Sequence, residues 1–157
     1  MHDIKYSNVN VQLQAAIPEL NDQFEKEAWV INDPEGPRQY LVIELILNPL
    51  LRELLERDSE RPPLRRTAEL LRQTVPRSDR EESDRNLLAR IFEFFERMAT
   101  SSDPEVPNLL AVGVFEQLVN QPKQVRVAWS YMGSETKKLA REVARGLLRE
   151  HNLPKSG

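Results

Sequence analysis

The sequence predicts an all-α protein: a single-domain irregular helical bundle of about six to eight helices, with successive pairs set off by proline turns in a manner resembling helical-repeat packing. Three observations carry this. Apolar residues recur at three- and four-residue spacing along most of the chain, strict apolar/polar alternation is almost absent, and prolines and glycines mostly punctuate the periodic segments. With 157 residues, 39% hydrophobic and 30% charged, the chain is long enough to bury a core without covalent staples.

The elements follow in order. Residues 1–8 carry no helix signal and are expected to fray. A short helix from Val9 to Ala16 precedes one opened by Pro18, which is harmless in a first turn because its missing amide hydrogen has no partner there; that helix runs through Leu20, Phe24 and Ala28 toward Trp29. Asn32-Asp33-Pro34-Glu35-Gly36-Pro37 reads as a loop. The next helix, Arg38 to Arg57, is apolar at Leu41, Leu45, Leu51, Leu54 and Leu55, and Pro49 inside it should kink or split it. Leu64, Ala68, Leu71 and Val75 recur at helical spacing up to Pro76. Ser78 and the acids behind it cap a long helix through Leu87, Leu88, Ile91, Phe94, Phe95 and Met98. Asp103 as N-cap and Pro104 at the first position open a helix that is apolar nearly all round, from Leu109 to Val119, and is therefore expected at the centre of the core, with Gly113 admitting a close neighbour. A short helix carries Val125, Val127, Ala128 and Trp129 and ends near Gly133. The last helix starts at Ser134 and presents Leu139, Val143, Ala144, Leu147 and Leu148; residues 152–157 are expected to fray.

Composition bounds function. Cysteine is absent, which excludes disulfides and thiolate metal sites and fits a reducing cytoplasm. The longest apolar run, Leu41 to Leu47, falls far short of the roughly 20 residues that cross a bilayer, and Met1-His2-Asp3-Ile4-Lys5 lacks a signal-peptide core, so a cytoplasmic protein with no membrane partner is expected. Charge is uneven: residues 1–60 sum to −7, while 61–100 and 101–157 each sum to +2, for a net −3. An acidic front argues against nucleic acid as partner and suits a basic protein.

No catalytic constellation emerges. The two histidines, His2 and His151, sit at opposite ends, and the chain has no P-loop, no dinucleotide-binding glycine motif and no Cys/His cluster, so no enzyme activity, cofactor or metal is expected. What stands out is Glu44, Glu93, Glu96 and Glu116, set within otherwise apolar helical runs. An isolated buried carboxylate is costly, so at least some of these must find partners, for Glu44 and Glu116 arginines such as Arg90 or Arg97 or Trp and Tyr donors, or else line a groove that receives a basic partner. Clustered carboxylates could otherwise hold a hard divalent cation. The polar helix entrance with Asp103, Glu105 and Asn108, and the aromatic pair Trp129 and Tyr131, complete the candidate partner-binding residues with Glu44 and Glu116.

The segments Tyr40-Leu41-Val42-Ile43-Glu44, Ile91-Phe92-Glu93-Phe94-Phe95-Glu96, Asn108 to Leu118 and Tyr131-Met132-Gly133-Ser134-Glu135-Thr136 resemble a family of small, all-helical, largely uncharacterised bacterial proteins. Its members look like immunity proteins of polymorphic toxin systems. The resemblance spans roughly residues 38–145 and marks Glu44, Asp103, Asn108, Glu116, Gly133 and Thr136. It implies a non-enzymatic protein that neutralises a cognate toxin domain by covering its active surface. The competing expectations are a carboxylate-based metal enzyme and a helical adaptor unconnected with toxins.

Overall fold

The computed structural model describes residues 3–35, 38–61 and 79–155. Among them there are eight helices and no strand. These are α1 (Val9–Ala16), α2 (Asn21–Lys26), α3 (Ala28–Ile31), α4 (residues 39–59), α5 (Asp79–Ala99), α6 (residues 105–118), α7 (Pro122–Trp129) and α8 (Ser134–Gly146). The helix expected through Leu64 to Val75 and the cap at Ser78 lie outside the described residues. The helix expected from Pro18 to Trp29 is broken: a 3-10 turn at Pro18–Leu20 leads into α2, and the chain bends at Glu27 before α3. Trp29 consequently faces solvent, with its indole N–H donating to Glu27.

Helix α5 is the packing axis, touching α1, α4, α6 and α8. Leu88, Ile91, Phe92, Phe95 and Met98 are enclosed, and Phe95 meets Phe92 and Phe115 edge-on at 5.1 and 6.2 Å between ring centres. Such T-shaped pairs add to the area they bury because ring edge and ring face are electrostatically complementary. Helix α6 also packs on four neighbours and buries Val106, Leu109, Leu110, Val114, Phe115 and Leu118. It is not wholly internal, as its apolar composition predicts: Glu105, Asn108, Val112 and Glu116 form a stripe at the surface.

Two π-turns shape the contact between α4 and α6. Ile43–Leu47 in α4 and Ala111–Phe115 in α6 use i→i+5 hydrogen bonds, seen where the Asn48 and Glu116 amides donate to the Ile43 and Ala111 carbonyls. Each turn takes in an extra residue, which advances the helical register and swings the following side chains. The two π-turns face one another. A Cβ built on Gly113 would lie 3.0 Å from Ile43 Cγ2, so glycine is what permits this approach. Pro49, expected to kink α4, follows its π-turn directly; the Leu45 carbonyl, which proline cannot serve, accepts instead from Gln23 Nε2 at 3.4 Å.

Both chain ends, where the sequence predicts fraying, are tied down over the described residues. Ile4 is buried, its carbonyl accepts from Ser101 Oγ, and Asp3 accepts from the Ser102 amide at 3.2 Å. Asn152 is buried and donates to the Val119 carbonyl at 2.8 Å. On α8 the inner face runs through Thr136, Ala140 and Ala144, whereas Leu147 and Leu148 lie past the end and face solvent. Leu148 adopts φ 58°, the left-handed position that closes the helix as the Arg149 amide reaches back to the Ala144 carbonyl at 2.7 Å.

Candidate functional site

Two helix faces meet over the paired π-turns. Tyr40 and Asn48, eight residues apart on α4, both reach α6: Asn108 Nδ2 donates to Tyr40 Oη at 3.0 Å, and Asn48 Nδ2 donates to the Gly113 carbonyl at 2.9 Å. Glu44 lies between them in sequence, within the π-turn, and is exposed. Helix α6 carries the exposed stripe of Glu105, Asn108, Val112 and Glu116, with Val112 40% exposed. Tyr6 extends the patch, its ring 6.5 Å from that of Tyr40. Burial raises the Tyr6 phenol above its ordinary value, with Tyr40 and the Glu105 carboxylate adding to the effect.

Asp103 anchors this face from below. Its Oδ1 accepts the Glu105 amide at 3.1 Å, one residue earlier than the cap position itself, since α6 begins at Glu105 with Pro104 as its N-cap where the sequence predicts Asp103; its Oδ2 accepts the Tyr6 amide at 2.9 Å. One carboxylate thus starts α6 and fixes the N-terminal segment beneath Tyr40. Of the residues named from the sequence, Glu105, Asn108 and Glu116 are exposed along α6, Asn108 meets Tyr40 on α4, Asp103 supports the start of α6, and Glu44 is exposed on α4.

The expected pairing of Glu44 and Glu116 with Arg90 or Arg97 is not found. Arg90 forms an ion pair with Glu19 and a hydrogen bond with Asn86, while Arg97 lies over the Phe94 ring and donates to Gln12 at 3.3 Å. Glu44, Glu93 and Glu116 escape the burial cost by pointing outward. Glu96 alone is drawn inward. It accepts the Glu135 amide at 3.1 Å and the Thr136 amide and hydroxyl at 2.8 and 2.7 Å, capping α8 from another helix. Burial works against the ionised Glu96, yet these hydrogen bonds outweigh it and hold the carboxyl below its ordinary range. Gly133, expected to end α7, instead leads into α8; a Cβ there would meet Glu96 Cδ and Oε1 at 2.5 Å. Since Gly133 has φ −78°, space and not backbone freedom requires glycine.

Trp129 and Tyr131 do not join the face. Trp129 is 5% exposed, covered by Lys137 and Arg141, whose charges lie 5.6 and 5.1 Å from its ring centre. Tyr131 is half-buried, stacked on Phe92 and bonded to Asp58 at 3.1 Å. Burial first, then the Asp58 charge, pushes its phenol up to about 12. Asp58 belongs to an ion network: Arg57 and Arg61 converge on the buried Asp84, and Arg85 bridges Asp58 and Glu81. This network joins α4 to α5 and draws Arg57, Arg61 and Arg85 partly inside.

Periodicity did not single out Tyr6, Tyr40 or the glutamines that follow the face along α6. Tyr40 carries the one available signal, standing four residues before Glu44, a helical spacing. At the far end of the face, where α4, α6 and α7 meet, a groove of about 180 Å³ opens beside Asn48 and Gln117. Among the described residues no group of three or more His, Cys, Asp or Glu is placed to hold a metal, and no helix is long and apolar enough to cross a membrane.

The fold and this face define an all-α bundle with a mixed tyrosine, carboxylate and amide surface. Residues 76–147 match a family described as a domain of unknown function (DUF7674). That span holds α5 to α8 with Asp103, Glu105, Asn108 and Glu116; Tyr40 and Glu44, on α4, lie outside it. No curated protein and no solved structure matches the chain.

Proposed function

We propose that this protein is a binding domain whose tyrosine–glutamate face receives a basic surface of another polypeptide, and that the partner is a bacterial toxin domain whose active surface it covers. The observation that carries the reading is that Glu44, Glu105 and Glu116 are exposed on the two helices that the Tyr40–Asn108 and Asn48–Gly113 hydrogen bonds hold together, none of them in an ion pair among the described residues, with Tyr40 and Val112 offering apolar contact. A cationic partner gains from such an arrangement without first breaking a resident salt bridge. The toxin assignment rests on the family resemblance of residues 38–145, and the family description of residues 76–147 names no partner.

The test is co-expression with the polypeptide encoded beside its gene, capture, and comparison with Glu44→Lys/Glu105→Lys. The double charge reversal should abolish capture and cell protection while circular dichroism stays helical. Protection by a variant that no longer binds, or a stoichiometric metal with substrate turnover in purified material, contradicts the reading.

A further inference from the structure

The groove at the α4–α6–α7 junction has a composition unlike that of the acidic face it adjoins. Its floor is apolar, made by Leu51, Leu55, Val114 and Leu118. Its walls are carboxamides: Asn48, Gln117, Gln121 and Gln124. A carboxamide both donates and accepts, which matches the alternating N–H and C=O groups of a peptide backbone. The one ionised side chain lining the groove is Arg52, and it makes no ion pair among the described residues. Glu53, Glu56 and Glu116, the acids near Arg52 and Gln117 in sequence, do not line it, and Glu53 is paired with Arg57. Helix α7, which supplies Gln124, adds Lys123 and Arg126 and carries no acid. At about 180 Å³ the space suits one side chain and its terminus, and is small for a nucleotide or flat cofactor.

We propose that this groove binds the C-terminus of a peptide chain. The last, aliphatic side chain enters the Leu51–Leu55–Val114–Leu118 floor, the terminal carboxylate meets the Arg52 guanidinium, and the preceding peptide groups hydrogen-bond to the glutamines. The charge selects an anion, the floor selects an apolar residue beside it, and the amides favour main chain over a simple fatty acid. Asn48 links the two surfaces physically, because its Nδ2 is committed to the Gly113 carbonyl between the π-turns. The groove uses none of the acidic side chains assigned to the protein partner, so the two binding events are separable.

The experiment is a titration of the full chain by ¹⁵N-detected NMR with three probes: acetyl-Gly-Ala-Leu with a free carboxylate, the same peptide as its C-terminal amide, and acetyl-Gly-Ala-Lys as its amide. The free acid should bind with Kd on the order of 0.1–1 mM and move the side-chain amides of Gln117, Gln121 and Gln124. Amidation, or Arg52→Gln in the protein, should each weaken it about tenfold. Arg52 is exposed, so its replacement leaves the fold intact, which circular dichroism checks. Equal binding of acid and amide, stronger binding of the lysine peptide, unchanged affinity in Arg52→Gln, or no movement of the three glutamine amides at about 10 mM peptide each overturns the proposal.

Discussion

The contact between Glu96 and the start of α8 gives the sharpest quantitative test of the packing. Replacing Glu96 with alanine removes the acceptor for two backbone amides and a hydroxyl, and Thr136 is fully buried, so its N–H and O–H are left without a partner. A lost helix cap costs about 1 kcal/mol, and a stranded buried donor costs about 1–3 kcal/mol. Allowing for the part-exposed position of Glu96, the sum is about 3 kcal/mol, or roughly 6–12 °C in Tm for a domain of this size. Glu96→Gln keeps one acceptor but turns an amide toward the Glu135 N–H, and should cost about half as much. Gly133→Ala forces a methyl into the Glu96 carboxyl and should cost about 2 kcal/mol. With Glu96 already alanine, the same methyl meets empty space and costs almost nothing, so the double mutant is non-additive by about 2 kcal/mol. The pH dependence has a definite sign. The Glu96 carboxyl is depressed below its ordinary 4.5, so its contribution is complete above that value and is lost as pH falls through the lower folded value. Glu96→Gln should lack that part of the acid slope. Urea denaturation of the parent and the four variants between pH 3 and 7 measures all of this; additive costs for Glu96→Ala and Gly133→Ala would refute the reasoning.

Other outcomes follow from the same geometry. Leu148→Gly should raise stability by about 0.5 kcal/mol, because the side chain is 79% exposed and its left-handed backbone is costly for leucine, partly offset by glycine's freedom when unfolded; thermal denaturation checks it. Asp84→Ala should destabilise by about 1–2 kcal/mol, since Arg57 and Arg61 lose their shared acceptor and keep only Glu53 and Asp58 as partners among the described residues, and calorimetry would register it. Tyr131 should ionise only near pH 12, so stability should fall as pH rises from 10 toward 12, where the unfolded phenol has already lost its proton; ultraviolet titration of Tyr131→Phe against the parent should lose the last ionisation step.

Much of the helical layout is legible in the sequence because its boundaries are chemical. Pro18, Pro104 and Pro122 open turns, Asp103 marks the start of α6, and apolar spacing marks α5 correctly. The fate of the glutamates was not legible. Glu44, Glu96 and Glu116 sit in runs of similar composition, but Glu44 lies within one π-turn and Glu116 directly follows the other, and a 3.6-residue projection does not hold across either. Glu96 turns inward because α8 presents unpaired amides to it, a partner some forty residues away that no local pattern encodes. The aromatic pair is ambiguous for a related reason: Trp129 and Tyr131 have the chemistry of an interface anchor and equally of a core residue, and it is Lys137, Arg141 and Asp58, distant in sequence or on other helices, that cover or bind them. The groove was invisible because its glutamines and Arg52 become neighbours only when α4, α6 and α7 pack.

The tyrosine–glutamate face is tested most directly by association kinetics with the neighbouring-gene polypeptide as ionic strength is varied. If exposed carboxylates at Glu44, Glu105 and Glu116 steer a basic partner, the association rate should fall steeply with salt, and Glu44→Lys/Glu105→Lys should lower it at least about tenfold at low salt. A folded double variant that associates as fast as the parent, with the same salt dependence, would contradict the account.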